Sequence, residues 1–519
     1  MDFDFAAYLR RLDPAYVYRV EKLAGGVVNV TARASKARFA SPMSTAPAKT
    51  PSATLGSRGS AAGLDCGQGR FPGYGSLVLK HAPPFIAGVG ESAPMSQGRQ
   101  VGGEDGSSSL SLSTIGVLHH VAAASGVTVP RLLLHDPTDH VLVLSDLGPL
   151  PDLSKVFIEL GGFTPDAAGA ATAWQPPPSS PCLGHTLDAH EIARYRRIGE
   201  KLGTFFACLH RPSSVHSVLG ALHTQGDGQQ QRPRDTFPSL PEMKTAIHDH
   251  VIKPIRAHLL KFPSLLNEAE AETLFAAVEA DFLRPTPLEE QCVVLGDCWT
   301  GAVLVDLGVA TGEPNVDTDV DDVDVGVGII DWEFASISGR GVNGDVSQFL
   351  AHLELLRVAA HTHPPGYARG HLSAVNAIIE GFISQYKPAQ TRRFVRDGDS
   401  DDDDRVLRSA YLLHGAELIN CAFWKTWICA DPACPSCAQN AQSSLADAGA
   451  DAGAGDPGSG PQCSVVTSLV RRGVSFLRCA VAPDPRRGTA KLRQDVAASL
   501  GLELDDAQTM GLYDLFEES

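Results

Sequence analysis

The chain has 519 residues, of which 43% are hydrophobic and 20% charged, enough apolar material to bury a large core, while its 50 glycines and 35 prolines gather in biased stretches. The formal net charge is −17 at pH 7, but six acids fall in residues 313–324 and six more in 397–404, so most of the excess belongs to two acidic, solvated runs. No basic stripe is left to neutralise a nucleic-acid backbone, and no run of ~18 apolar residues marks a membrane span, so neither nucleic acid nor membrane is an expected partner.

The first residues, Met1-Asp2-Phe3-Asp4-Phe5, are acidic where a secretory signal needs a basic start. Eleven cysteines, an odd number, argue for reduced thiols. A cytoplasmic protein is the expectation. Cys429, Cys434 and Cys437 contain a C-x2-C spacing that Cys463 or Cys479 would complete as a zinc site; the other reading is small core residues.

In chain order, residues 16–34 read as two β-rich stretches around Gly25-Gly26, and Ser76-Leu77-Val78-Leu79-Lys80 as a third strand. Residues 35–74, rich in Ala, Ser, Pro and Gly, are expected as a disordered insertion between strands, and residues 102–114 as a second one. Residues 131–135 and 141–144 read as strands joined by the Asp136-Pro137-Thr138-Asp139 turn. Further biased stretches fall at 164–186 and 224–236.

From about 188 the periodicity changes. Ile192, Tyr195, Ile198, Leu202, Phe205, Phe206 and Leu209 recur at three- and four-residue spacing, an apolar helical stripe. Segments 241–260, 268–283, 343–360, 372–386 and 405–429 read likewise, with acidic or low-complexity runs at 306–326, 397–404 and 438–461. Strands first and helices after predict an α+β chain in two parts, 1–148 and 149–519.

Two segments near residue 300 set one carboxylate against a β-branched run: Leu295-Gly296-Asp297, ahead of Val303-Leu304-Val305, and Asp331-Trp332-Glu333, behind Val327-Gly328-Ile329-Ile330. Phosphoryl transfer uses such a pair, one Asp to orient the acceptor hydroxyl and one to hold Mg²⁺ on the phosphates. Asp297 and Asp331 fit these roles, with Glu333 either assisting the metal or facing solvent. Gly25 and Gly26 suit a turn whose backbone approaches phosphates, or an ordinary hairpin. Lys80 ends an apolar strand, placed to meet phosphates or to snorkel from the surface.

The ordered set of glycine turn, strand lysine, apolar hairpin, helix, Gly-Asp loop and strand-end Asp resembles the aminoglycoside phosphotransferase, choline kinase and methylthioribose kinase superfamily. Leu23-Ala24-Gly25-Gly26-Val27-Val28-Asn29-Val30 is similar to its glycine-loop strand, Leu77 to Lys80 to its lysine strand, and Leu144-Ser145-Asp146-Leu147-Gly148 to its interlobe hinge. The resemblance implies a two-lobed protein kinase-like fold, with a small antiparallel β-sheet N-lobe, a larger mostly helical C-lobe and disordered insertions. It implies ATP and Mg²⁺ as cofactors and a small-molecule hydroxyl acceptor as substrate. Gly25, Gly26, Asn29, Lys80, Ser145 and Leu147 would hold the nucleotide, Asp297 would be catalytic, and Asp331 with Glu333 would bind metal.

Gly339 to Asp345 resembles the family's segment ending in a structural Asp, so Asp345 is expected to brace the catalytic loop through backbone hydrogen bonds. His210, at the end of the apolar helix, is expected to pack or cap. The chain departs from the family pattern at two positions. Leu295 stands where His is expected, and Ala302 where an Asn or Ser would give a second metal ligand, so a catalytically impaired pseudokinase-like nucleotide- or ligand-binding protein is the alternative. The glutamate that would pair with Lys80 is either Glu104 or Glu91. Acceptor identity and protein partners carry no motif.

Overall fold

The computed structural model describes residues 3–23, 28–37, 69–88, 90–91, 94–95, 97, 118–160, 186–225, 241–308, 325–362, 369–394, 401–424, 463–500 and 510–516. Two units divide the chain, one of residues 1–100 and 130–148, the other of 101–129 and 149–519.

In the first unit the β-rich stretches become a five-stranded antiparallel sheet of β1 (Val17–Lys22), β2 (Val30–Ala37), β3 (Ser76–His81), β4 (Leu132–Asp136) and β5 (Val141–Ser145), in the order β1-β2-β3-β5-β4. With side chains alternating along each strand, Ala32, Ala34, Leu77, Leu79, Val141 and Val143 share one buried face. A helix absent from the sequence expectations, α1 (Phe5–Leu12), brings Phe5, Tyr8 and Leu9 into that same apolar cluster. Its signal was Asp4, whose carboxylate accepts the Ala7 N–H at 2.9 Å as an N-cap, followed by apolar residues at helical spacing.

The residues expected as a disordered insertion, 35–74, are ordered at both described ends. β2 continues through Ala37, and the Lys36 ammonium donates to the Phe71 carbonyl at 2.6 Å while lying 4.0 Å from the centre of the Tyr16 ring. Strand pairing extends further along β2 than the composition suggested.

The second unit is mainly helical: α2 (Leu153–Leu160), α3 (Ala189–Leu209), α4 (Pro212–Gln225), α5 (Pro241–Ile247), α6 (Pro254–Leu260), α7 (Glu268–Leu283), α8 (Ser347–Thr362), α9 (Arg369–Phe394), α10 (Asp401–Trp424), α11 (Ser464–Val481) and α12 (Pro485–Leu500). The stripe read on α3 is its buried face, and α3 starts at a capping box formed by Asp188 and Glu191. The single helix expected over 241–260 is instead α5, a π turn at His248–Ile252 and α6, because Pro254 has no N–H to continue the ladder and takes the first position of a new helix.

The acidic run 397–404 is not all loop: α10 begins at Asp401, where the partial positive charge of a helix start favours carboxylates. Two short antiparallel pairs are set among these helices, β6 (Gln291–Val294) with β9 (Ser336–Arg340) and β7 (Val303–Asp306) with β8 (Gly326–Ile329). A sheet unit with a lysine on its third strand, then a helical unit whose short strand pairs carry Asp297 and Asp331 in their loops, is the protein kinase-like order of parts. Among the described residues no helix is long and apolar enough to cross a membrane.

Candidate active site

Strand β6, buried along Cys292, Val293 and Val294, delivers the chain to Leu295 and then to Gly296, where it turns with φ +83°. An L side chain rarely adopts that conformation, and a Cβ there would stand 2.2 Å from the Phe334 carbonyl oxygen. Glycine therefore permits both the turn and the close approach of the loop that follows Asp331. Asp297 emerges one residue later, partly exposed, while Cys298 is wholly buried and burial pushes its thiol well above the ordinary range.

Asp331, two residues past the end of β8, caps a short 3-10 turn, Trp332–Phe334, in the left-handed conformation, φ 63° and ψ 53°. That region costs a non-glycine residue about 1–2 kcal/mol, least for Asp and Asn. The Trp332 indole N–H donates to the Ile329 carbonyl at 3.1 Å and holds the turn back on its own strand. The two loops are tied together, since the Ile330 N–H donates to the Ala302 carbonyl at 2.9 Å. Both strands of the hairpin are flanked: Thr128 bridges Gly328, and Asp152 bridges Leu304. The Glu333 side chain lies outside the described residues, as do residues 309–324.

The brace expected of Asp345 is present. Its carboxylate accepts the Leu295 N–H at 2.7 Å and the Gly296 N–H at 2.8 Å. His210, the C-cap of α3 and fully buried, meets the same carboxylate through Nε2 at 3.3 Å and the Tyr386 hydroxyl through Nδ1 at 2.9 Å. With a carboxylate as acceptor on one side, the imidazole carries its hydrogen on Nε2 and Nδ1 accepts from Tyr386. His210 is thus a packing and bridging residue, as read from its position.

Sequence reasoning missed Gln348. On the first turn of α8, its Oε1 accepts the Cys298 N–H at 2.9 Å and its Nε2 donates to Asp297 Oδ1 at 3.1 Å. One amide thereby holds the backbone and the carboxylate of the same loop. Its position three residues after Asp345 was the only available signal.

The remaining candidates lie in the sheet unit. Lys80, 8% exposed, pairs with Thr31 on β2 and Leu142 on β5, and strand alternation puts it on the face opposite Leu77 and Leu79. Asn29, at the entry to β2, is 2% exposed, and its Oδ1 has no hydrogen-bond partner among the described residues. Ser145 ends β5, its hydroxyl accepting the Arg131 N–H at 2.7 Å, and Leu147 is half-buried in the segment that Arg33 fastens by pairing with Asp146 at 2.8 Å and donating to the Gly148 carbonyl at 2.7 Å. Gly25, Gly26 and Glu104 lie outside the described residues, and Glu91 is exposed.

No family model matches the chain, and no curated protein matches it in sequence. Among solved structures it is similar to an ethanolamine kinase of Plasmodium vivax, with 8% identity, 82% of this chain and 80% of that one covered and a TM-score of 0.30. It is similar also to a choline kinase of Cryptosporidium parvum, with 8% identity, 85% and 92% covered and a TM-score of 0.30.

Proposed function

We propose that the chain is an ATP-dependent phosphotransferase that phosphorylates a hydroxyl of a small molecule. The observation that supports this best is the meeting of the two carboxylate loops. Gly296 lies against the Phe334 carbonyl and Ile330 is hydrogen-bonded to Ala302, so Asp297 and Asp331 are each held at the end of a short strand by the other's loop.

Asp297 orients the acceptor hydroxyl and takes up its proton as the bond to phosphorus forms. Asp331, with Glu333, offers the hard carboxylate oxygens that suit Mg²⁺. When bound, that ion neutralises phosphate charge. Lys80 meets the phosphates as a point charge, the Gly25-Gly26 backbone covers them, and Asn29, Ser145 and Leu147 complete the nucleotide contacts. The Asn29 oxygen, buried at the strand entry and with no hydrogen-bond partner among the described residues, fits such a role. Positioning and charge neutralisation carry most of the rate.

The decisive measurement is calorimetry of ATP with and without Mg²⁺, on the wild type and Asp331→Ala, followed by turnover of Asp297→Ala. Mg²⁺-dependent binding that disappears in Asp331→Ala, with Asp297→Ala binding ATP but transferring nothing, is the expected result. Absence of ATP binding under every condition would overturn the proposal.

One observation favours a second reading, a nucleotide-binding protein without turnover. Ala302 is fully buried and offers no side-chain oxygen where a second metal ligand is expected. ATP binding that needs Mg²⁺ but supports no transfer to any tested alcohol would select this reading.

A further inference from the structure

Beneath the Gly296-Asp297 loop, α8 and α10 bring together three side chains of different chemistry that phosphoryl transfer does not use. His352 comes from α8, and Glu417 and Cys421, four residues apart and so on one helical face, come from α10. All three are buried, at 3%, 7% and 1% exposure. His352 Nε2 stands 2.9 Å from Glu417 Oε1, and the Cys421 sulfur is 3.8 Å from that nitrogen and 3.7 Å from that oxygen.

We propose that His352, Glu417 and Cys421 form a binding site for a borderline-soft divalent metal ion, zinc above all. In a tetrahedral zinc site with bonds of about 2.0–2.3 Å, neighbouring ligand atoms stand roughly 3.3–3.7 Å apart. Both sulfur distances are already close to that range. Only the nitrogen–oxygen pair, drawn in by its hydrogen bond, has to open, by about half an ångström.

The charges also balance. A dication with one carboxylate, one thiolate and one neutral imidazole leaves no net charge in the interior, where an unbalanced one is costly. Nitrogen and sulfur donors select zinc or cobalt over Mg²⁺, so this site is chemically distinct from one built on Asp331. Three protein ligands leave a fourth position for water.

The position gives such an ion a consequence. His352 lies one helical turn after Gln348, the residue that holds Asp297, and its ring is 6.0 Å from that of Trp299 in the same loop. Metal bound here would pin α8 to α10 directly under the loop. This holds whether or not the chain transfers phosphate.

The test is titration of the chelator-treated full-length chain with Co²⁺ as a spectroscopic probe, and with Zn²⁺ in competition. One equivalent of Co²⁺ with tetrahedral visible bands and a near-ultraviolet thiolate-to-cobalt band is expected. The thiolate band should vanish in Cys421→Ser and persist when Cys434→Ser and Cys437→Ser are combined, since that cysteine pair is the competing source of thiolate. Glu417→Gln and His352→Gln, which conserve size, should each weaken Co²⁺ at least tenfold, with folding followed by circular dichroism. Absence of the thiolate band in the wild type, its survival in Cys421→Ser, or unchanged affinity in both glutamine variants would overturn the site and leave a hydrogen-bonded core cluster.

Discussion

Asp345 Oδ1 accepts the Gly296 N–H at 2.8 Å, tying the segment before α8 to a loop 49 residues earlier in the chain. The other oxygen takes the Leu295 N–H and the His210 imidazole, so one buried carboxylate sets the backbone from which Asp297 projects. Asp345→Asn replaces one acceptor oxygen by an NH₂ that faces a backbone N–H. The expected loss is about 2–4 kcal/mol of unfolding free energy, read from urea denaturation. Equal midpoints for the variant and the wild type would show that the brace carries no stability.

Gly296→Ala meets two obstacles at once, a φ of +83° and a Cβ 2.2 Å from the Phe334 oxygen. The conformation alone costs about 1–2 kcal/mol. The contact is with backbone and cannot be relieved by a rotamer change, so the loops that present Asp297 and Asp331 must separate. Loss of more than about 2 kcal/mol by denaturant titration is expected, together with loss of Mg²⁺-dependent ATP binding in calorimetry.

Gln348 supplies a sharper probe of Asp297. Gln348→Ala removes one hydrogen bond from the carboxylate without touching the nucleotide contacts, so turnover should fall about tenfold, roughly 1.4 kcal/mol in the barrier, while ATP affinity stays within twofold. Gln348→Glu keeps an acceptor for the Cys298 N–H but sets a second carboxylate beside Asp297. Like charge disfavours ionisation, so the acidic limb of the pH–rate profile should move to higher pH. A limb that stays in place would mean that Asp297 is not the group seen in that profile.

Acid lability should trace to two buried histidines. Burial holds the His258 imidazole, stacked 3.9 Å from the Phe423 ring, down at about 3, and burial holds His414 at about 4. Between these values and an unfolded value near 6.5, the unfolded chain binds protons that the folded one refuses. Stability is therefore full above pH 6.5 and falls as pH drops, by about 2 kcal/mol per histidine at pH 5. His258→Phe cannot take a proton and should flatten the fall in melting temperature between pH 7 and pH 5. The same slope in wild type and variant would reject this account for His258.

Much of the fold was open to reading because it rests on local periodicity. The strands from Val17 to Ser145 are short β-rich or apolar runs bounded by turn residues, the α3 stripe repeats with period 3.6, and the Gly296-Asp297 turn carries its own backbone requirement. Where two local signals competed, the pattern alone misled. Pro254 divides the helix expected over 241–260, and Asp401 to Asp404, read as a solvated run, begin α10.

By itself the sequence determined the sheet-then-helix order and the two carboxylates at strand ends, because each is written in neighbouring residues whose types and spacing carry the constraint, while the bracing role of Asp345 was what the family resemblance implied. The tertiary structure alone decided that the Gln348 amide holds Asp297, that Ile330 fastens one loop to Ala302 of the other, and that His352 meets Glu417 and Cys421. Those pairs are separated by 51, 28 and 65 or more residues. No local periodicity encodes a contact between distant segments. It exists only once helix packing and the short strand pairs have set their distances.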